Sequence, residues 1–277
     1  MTQEQQKGVA VAQSGQEFAG LHVLVTGAGG GIGAATVLAL LSQGASVSAL
    51  DLDASLLAQL QQCWRDTGSG REDALRTQQV DVTDSSAVKQ AVEQAQVALG
   101  PIERLACLAG ILQMGNIVDL SDEQWARVFA VNSTGPFNVC RTVAPGMIER
   151  GRGAIVTVSS NAATAPRMGM GAYAASKAAL TQMTRCLALE LAPHGIRCNI
   201  VSPGSTDTEM QRAMWRQGSS RDAVIQGALE GYRLGIPLRK IATPQEIAES
   251  IVFLLSDRAS HITLHDLRID GGATLDQ

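Results

Sequence analysis

Three side chains that could perform acid/base chemistry stand close together in the second half of the chain. Tyr173 and Lys177 are four residues apart in the segment GAYAASKAAL, and Ser160 lies thirteen residues before Tyr173. Tyrosine by itself is a poor base, because its ordinary pKa is about 10. On a helix, a lysine four residues later lies on the same face and can stabilise the phenolate. With a serine to hold the substrate oxygen, the spacing predicts proton transfer to or from an alcohol or carbonyl group. The Tyr–Lys pair alone is also typical of a solvated helix face.

A glycine-rich stretch near the start of the chain supports the catalytic interpretation. Residues 21–33 read LHVLVTGAGGGIG, with a predicted buried strand over 21–25 and a predicted apolar helix over 34–41. A strand, a glycine turn and a helix in this order place a pyrophosphate on the helix N-terminus. The spacing is T-G-x-x-x-G-x-G from Thr26 to Gly33. A merely flexible loop is the alternative, and the two flanking patterns disfavour it.

An acidic residue at the end of the second predicted strand bears on the type of dinucleotide. The strand covers residues 46–50 and is followed by Asp51, 24 residues after Gly27. A carboxylate there can accept hydrogen bonds from the adenosine ribose and repels a 2′-phosphate. No Arg or Lys stands beside it in ALDLDAS. Asp51 therefore predicts NAD rather than NADP, the alternative being a strand-end cap.

Composition limits the other classes of function. The 277 residues are 45% hydrophobic and 17% charged, with alternating strand and helix patterns and no linker or repeat, which predicts one α/β domain. The net charge is −4 without a basic block, so no nucleic-acid partner is expected, and no apolar run is long enough to predict a membrane span. The five cysteines are scattered and odd in number, which favours free thiols and a cytoplasmic location. No metal site is predicted.

Residues 1–19 are polar and are predicted to form a mobile tail before a domain over 20–277.

Together these motifs resemble the short-chain dehydrogenase/reductase family from about residue 20 onward. The resemblance adds the adenine-contacting pair Asp81–Val82, a catalytic asparagine at Asn132 in VFAVNSTGPF, and a segment VSPGSTDT after the sixth strand. It implies a single-domain Rossmann fold: a doubly wound parallel sheet of about seven strands with helices on both faces. It also implies a mobile lid around residues 209–235 and a homotetramer. One departure is Cys107–Leu108, where the family commonly has asparagine, which predicts looser packing of the central sheet.

The family pattern assigns roles residue by residue. The expected catalytic residues are Asn132, Ser160, Tyr173 and Lys177. Lys177 is expected to lower the pKa of Tyr173, and Asn132 to hold a water in a proton relay. The expected NAD-binding residues are Gly27, Gly30, Gly31, Ile32, Gly33, Asp51, Leu52, Asp81, Val82, Ala109, Gly110, Tyr173, Lys177, Pro203, Gly204, Thr206 and Thr208.

The loops carry a narrower resemblance. Residues 109–115, 157–180, 195–215 and 234–275 are similar to dehydrogenases that convert a dihydrodiol carboxylate to 2,3-dihydroxybenzoate in catechol-siderophore biosynthesis. The substrate carboxylate would need a cation, for which Arg167 is the candidate because its fork binds both oxygens. The expected substrate residues are Ser160, Tyr173, Arg167, Met168, Met210 and Gln113. Open alternatives are another cyclic alcohol such as a dihydro-hydroxyanthranilate, an NADPH-dependent ketoacyl reductase, and a non-catalytic NAD-binding protein.

Overall fold

The structure is a computed structural model that describes residues 16–216 and 220–275. One sheet is built from seven parallel strands: β1 (His22–Thr26), β2 (Ser46–Asp51), β3 (Leu75–Gln79), β4 (Ile102–Cys107), β5 (Gly153–Val158), β6 (Ile196–Pro203) and β9 (Asp266–Ile269). Their order in the sheet is β3-β2-β1-β4-β5-β6-β9. The predicted fold class is confirmed: a doubly wound parallel sheet of seven strands.

Helices cover both faces of the sheet. They are α1 (Gly31–Ser42), α2 (Ala54–Asp66), α3 (Ser85–Leu99), α4 (Asp122–Phe129), α5 (Gly135–Arg150), α6 (Gly171–Leu191), α7 (Glu209–Arg216), α8 (Arg221–Gln226) and α9 (Pro244–Leu255). One apolar cluster joins α1, α2 and α9 to the sheet, and a second cluster joins α3, α5 and α6 to it. The strands β1, β4 and β5 are buried along their whole length, as expected for parallel strands covered on both sides.

The strand order determines where a ligand can bind. After β3 the chain returns across the sheet to β4, which lies on the other side of β1. The connections that leave β1 and β4 therefore diverge, and a crevice opens at the carboxyl ends of these strands. The glycine turn follows β1, and residues 108–110 follow β4.

The predicted element boundaries need small corrections. The first strand begins one residue later than expected, and α1 begins inside the glycine turn at Gly31, with Gly30 as its N-cap. Cys107 is fully buried, with its Sγ 4.0 Å from that of Cys140, so the strand end that lacks the family asparagine is closely packed.

The structure bears on two predicted segments outside the sheet, the N-terminal tail and the lid. Residues 1–15 of the predicted tail lie outside the described residues. Residues 16–19 were assigned to the tail but belong to the domain: Phe18 is fully buried, and its N–H donates to the carbonyl of Gln43 at 2.9 Å. The predicted lid contains α7, α8 and a short antiparallel pair, β7 (Gly227–Ala228) and β8 (Arg233–Leu234). Its mobility stays a prediction. Among the described residues, none of the helices is both long and apolar enough to cross a bilayer.

Candidate active site

Most of the predicted site residues line one cavity of about 700 Å³ at the carboxyl ends of the strands. All seventeen expected cofactor residues line it. Three of the expected catalytic residues, Ser160, Tyr173 and Lys177, line the same cavity, as do Arg167 and Met210. Side chains far apart in sequence therefore meet where the parallel strands end.

The glycine turn forms a cradle that side chains would fill. A Cβ on Gly33 would lie 1.8 Å from the carbonyl oxygen of Gly27, and a Cβ on Gly27 would lie 2.6 Å from the Ala109 nitrogen. Gly31 has a φ of +53°, which disfavours a side chain. No side chain caps the N-terminus of α1 at Gly30, so the first turn presents backbone N–H groups toward the cavity end of the helix. This arrangement fits a pyrophosphate.

Asp51 is held in place at the cavity wall by two backbone groups. Its Oδ2 accepts a hydrogen bond from the Gly29 N–H at 2.8 Å, and its Oδ1 accepts one from the Asp53 N–H at 3.0 Å. Each carboxylate oxygen can accept a further hydrogen bond. Asp81, in contrast, accepts from the N–H and hydroxyl of Thr83, both at 2.8 Å, and so also stabilises the turn before α3.

The acid/base group is assembled by β5 and α6. Lys177 is buried one turn after Tyr173; its Nζ donates to the Val158 carbonyl at 2.8 Å and lies 5.9 Å from the centre of the Tyr173 ring. Burial lowers the pKa of Lys177 from 10.5 to about 8, because the ammonium loses its hydration. Ser160 follows β5, hydrogen-bonds the Tyr173 phenol, and accepts from the Ala162 N–H at 3.1 Å.

The pKa of Tyr173 differs from the sequence prediction. Burial raises this pKa, and the hydrogen bond from Ser160 opposes the rise only in part. Loss of hydration outweighs the favourable contact that Ser160 makes with the phenolate, so the net shift is upward. The lowering of the Tyr173 pKa by Lys177 stays a prediction.

Asn132 lies in a π-helical turn, Ala130–Thr134, between α4 and α5. Its side chain is fully buried: Oδ1 accepts from the Ile111 N–H at 2.8 Å, and Nδ2 donates to the Ile111 carbonyl at 2.9 Å and the Ser176 hydroxyl at 3.0 Å. Both N–H groups of the Asn132 amide are therefore used in hydrogen bonds that connect the segment after β4 to the first turns of α6. The predicted water relay stays a prediction; the amide itself fixes the two backbone segments that carry the cavity wall.

The structure separates the predicted substrate residues into two groups. Arg167 and Met210 line the cavity, whereas Met168 and Gln113 do not. The backbone turns at Gly169, with a φ of +70°, and Met168 is 62% exposed. The Gln113 amide instead donates to the Met114 carbonyl at 2.9 Å. Met170 and Met214 form the thioether wall together with Met210.

Sequence reasoning missed two polar residues of the cavity. Gln211 on α7 lines it, and its buried Nε2 has no hydrogen-bond partner among the described residues. Arg233 on β8 lines it as well. Neither residue belongs to a recognisable motif: Gln211 lies on the short helix α7, and Arg233 lies on a two-residue strand in a segment without a strand pattern.

The comparisons with known proteins agree with this geometry. A family model described as enoyl-(acyl carrier protein) reductase matches residues 27–274. The chain belongs to the short-chain dehydrogenase/reductase family. The dehydrogenase is 46% identical over 256 residues to the 2,3-dihydro-2,3-dihydroxybenzoate dehydrogenase of Bacillus subtilis (strain 168), covering 92% of this chain and 97% of that protein. It is 45% identical over 259 residues to the enzyme of the same name from Escherichia coli (strain K12), covering 94% and 99%.

A solved structure shows the same architecture. The crystal structure of levodione reductase matches the dehydrogenase with a TM-score of 0.85 at 28% identity, covering 92% of this chain and 98% of that chain. The family resemblance is therefore confirmed, and the protein is an oxidoreductase that uses a nicotinamide cofactor. The glycine cradle and the uncapped N-terminus of α1 fit the pyrophosphate of such a cofactor.

Proposed function

We propose that this dehydrogenase oxidises 2,3-dihydro-2,3-dihydroxybenzoate to 2,3-dihydroxybenzoate with NAD, as a step of catechol-siderophore biosynthesis. The observation that carries the proposal is the near full-length similarity, at 45–46% identity, to two dehydrogenases named for this substrate. The cavity supports it, because an acid/base group and a guanidinium, that of Arg167, face the same space. Oxidation of a dihydrodiol carboxylate needs a group that accepts the hydroxyl proton and a cation that binds the carboxylate.

The protein's own groups would act on one hydroxyl of the diol. Tyr173 takes the proton of the C3 hydroxyl as the C3 hydrogen leaves with its electron pair. Ser160, already hydrogen-bonded to the Tyr173 phenol, orients that oxygen and stabilises the developing carbonyl. The nicotinamide, when bound, accepts the hydride. The ketone formed is a tautomer of a catechol, so transfer of the C2 proton to the carbonyl oxygen, by way of solvent, restores aromaticity and favours the product.

Lys177 supports the proton transfer electrostatically. Since its ammonium is buried with Nζ 5.9 Å from the centre of the Tyr173 ring, it would stabilise the phenolate form of Tyr173, which is the form that accepts the substrate proton. Lys177 and Tyr173 would also hold the nicotinamide ribose, and the glycines of the turn would hold the pyrophosphate. Asn132 positions the backbone of Ile111 beside them.

Asp51 supports the choice of NAD. Its carboxylate is fixed at the cavity wall by the N–H groups of Gly29 and Asp53. A 2′-phosphate placed there would face a negative charge that cannot move away. We propose that NAD is therefore preferred over NADP.

We also propose that the enzyme is a cytoplasmic homotetramer covered at its active site by a lid over residues 209–235. Exposed apolar side chains on α4 and α5 support an assembly: Trp125 is 41% exposed and Phe137 is 44% exposed. Light scattering coupled to gel filtration tests the assembly. A monomer at micromolar concentration would contradict it.

The proposed reaction is tested by mixing the enzyme, NAD and 2,3-dihydro-2,3-dihydroxybenzoate, with absorbance at the NADH band and chromatography of the product. We expect NADH and 2,3-dihydroxybenzoate in equal amounts. A dihydro-hydroxyanthranilate and a neutral cyclic alcohol serve as competing substrates. Faster turnover of either compound would contradict the proposed substrate, whereas the proposed acid/base chemistry would be unaffected.

A further inference from the structure

Asn161 directly follows Ser160, and its side chain connects this part of the chain to the C-terminal segment. Only 8% of Asn161 is exposed. Its Nδ2 donates to Oδ2 of the Asp270 carboxylate at 3.1 Å and to the Thr274 hydroxyl at 3.0 Å. An ionised carboxylate can only accept hydrogen bonds, so the amide must turn its N–H groups toward Asp270. Both of these N–H groups are therefore used in contacts with residues that are 109 and 113 positions away in the sequence.

The segment that accepts these hydrogen bonds, residues 270–274, is itself held in place. Asp270 follows β9 directly, at the carboxyl end of the sheet. The Leu238 N–H donates to the Gly271 carbonyl at 3.1 Å. Ala273 packs against a small buried apolar cluster, which consists of Val224, Ile236 and Ile241. The two acceptors of the amide therefore belong to a part of the domain that is fixed by other contacts.

Ser160 lies at the point where the chain leaves the sheet, at the substrate end of the cavity. The strand β5 ends at Val158, and the Ser159 N–H makes one further bond to β6, at 2.8 Å from the Val201 carbonyl. Two residues after Ser159, the Asn161 amide connects the chain to the segment after β9. Ser160 therefore stands between two points of attachment, one on the sheet and one on the C-terminal segment.

Ser160 and Asn161 belong to one tight turn, so a movement of one residue moves the other. The Ala163 N–H donates to the Ser160 carbonyl at 3.0 Å, and the Ser160 Oγ accepts from the Ala162 N–H at 3.1 Å. The Ser160 hydroxyl also hydrogen-bonds the Tyr173 phenol. A tilt of the turn would displace this hydroxyl, and a hydrogen bond weakens steeply when its geometry is lost.

We propose that Asn161 is a positioning residue for Ser160. Its hydrogen bonds to Asp270 and Thr274 hold the turn in the orientation that directs the Ser160 hydroxyl at the Tyr173 phenol. Asn161 acts through Ser160 and takes no part in the proton transfer itself. The inference rests on the proposed function, because it requires that Ser160 orients the substrate oxygen. It makes the C-terminal segment a support of the acid/base group.

The pKa of Tyr173 reports the position of the Ser160 hydroxyl without turnover. The chain has two tyrosines, so fluorine NMR of fluorotyrosine-labelled enzyme gives two signals, and replacing the exposed Tyr232 by phenylalanine leaves only that of Tyr173. The hydrogen bond with Ser160 lowers the pKa of Tyr173, so its loss raises that pKa. We expect Ser160→Ala to raise it by about one pKa unit, and Asn161→Ala by at least about half as much. In the double variant, Asn161→Ala should add nothing, because the residue through which it acts is gone.

Asn199→Ala is the matched control. Asn199 is also a buried asparagine, and its amide joins β6 to the segment before β9: Nδ2 donates to the Ile262 carbonyl at 2.8 Å, and Oδ1 accepts from the His265 N–H at 3.1 Å. Its replacement should lower the free energy of unfolding as Asn161→Ala does. It should leave the pKa of Tyr173 unchanged, because Asn199 does not contact the turn that carries the serine.

A second pair of variants keeps the test open if Asn161→Ala does not fold. Thr274→Val removes one of the two acceptors of the Asn161 amide at nearly constant shape, whereas Thr274→Ser keeps the hydroxyl. We expect Thr274→Val to raise the pKa of Tyr173 and Thr274→Ser to leave it at the wild-type value. The role is refuted if Asn161→Ala and Thr274→Val both leave this pKa unchanged, if Ser160→Ala itself leaves it unchanged, or if Asn161→Ala raises it equally with and without the Ser160 hydroxyl.

The kinetic outcomes separate this role from the proposed reaction. In the active enzyme, Asn161→Ala should lower kcat by roughly 10- to 100-fold, as for a displaced catalytic group, and leave the Kd of NAD within about twofold. A loss of NAD affinity as large as the loss of kcat would refute the role. If the wild type fails to oxidise the dihydrodiol while the pKa of Tyr173 still depends on Asn161 through Ser160, the proposed substrate fails and the positioning role stands.

Discussion

Replacing Lys177 by methionine should abolish activity and stabilise the fold at neutral pH. The burial that lowers the pKa of Lys177 from 10.5 to about 8 also costs folding free energy. Each pKa unit corresponds to about 1.4 kcal/mol, so a protonated Lys177 at pH 7 costs roughly 3 kcal/mol relative to the unfolded chain. The hydrogen bond from Nζ to the Val158 carbonyl offsets part of that cost and disappears in the variant. We expect Lys177→Met to raise the free energy of unfolding by about 1–3 kcal/mol at pH 7.

The pH dependence of this stability difference shows whether the buried charge of Lys177 causes it. A buried lysine with a lowered pKa destabilises the fold fully below pH 8, and the cost is relieved as pH rises toward 10.5, because the unfolded chain then binds more protons than the folded one. The stability difference between Lys177→Met and wild type should therefore shrink over this window. Urea unfolding at matched protein concentration and several pH values measures it. Lys89→Met, at an exposed position, is the control and should show no such trend. A variant that is less stable than wild type at pH 7, or a difference independent of pH, would refute the reasoning.

Three further substitutions test other parts of the site. Tyr173→Phe should reduce kcat by roughly 10²- to 10⁴-fold and leave the affinity for NAD unchanged, as steady-state kinetics and NAD titration would show; retained turnover would contradict its role in proton transfer. Asp51→Ser should raise the ratio of kcat/KM for NADP to that for NAD by at least about tenfold, because it removes the charge that repels a 2′-phosphate; an unchanged ratio would place discrimination elsewhere. Gly33→Ala should lower the free energy of unfolding by about 2 kcal/mol or more and abolish NAD binding, because its Cβ would lie 1.8 Å from the Gly27 oxygen. Gly30→Ala, whose Cβ would meet only Leu56 at 3.5 Å, is the matched comparison in the same unfolding assay.

Local chemistry explains why much of the site could be predicted from the sequence. A turn that needs positive φ and close backbone approach requires glycine, so the residues from Gly27 to Gly33 identify it without a structure. Helical periodicity alone places Lys177 one turn from Tyr173. An acidic residue at the end of the second strand of a Rossmann fold can accept hydrogen bonds from the adenosine ribose, which is why the sequence predicts that role for Asp51.

Other features depend on parts of the chain that meet only in the folded protein. Arg233 lines the cavity because the segment that carries it is held by the cluster of Val224, Ile236 and Ile241, against which Ala273 packs, a contact between stretches that are distant in sequence and carry no motif. The exclusion of Met168 and Gln113 depends on how individual loops turn, which residue types do not determine. The pKa of Tyr173 follows from burial, and burial is a property of the whole cavity wall. The sequence by itself therefore determined the fold and the glycine turn, and it identified the candidate acid/base residues, through short-range spacing and backbone sterics. The tertiary structure alone decided the charge environment and the polar lining of the substrate end, because these depend on long-range packing.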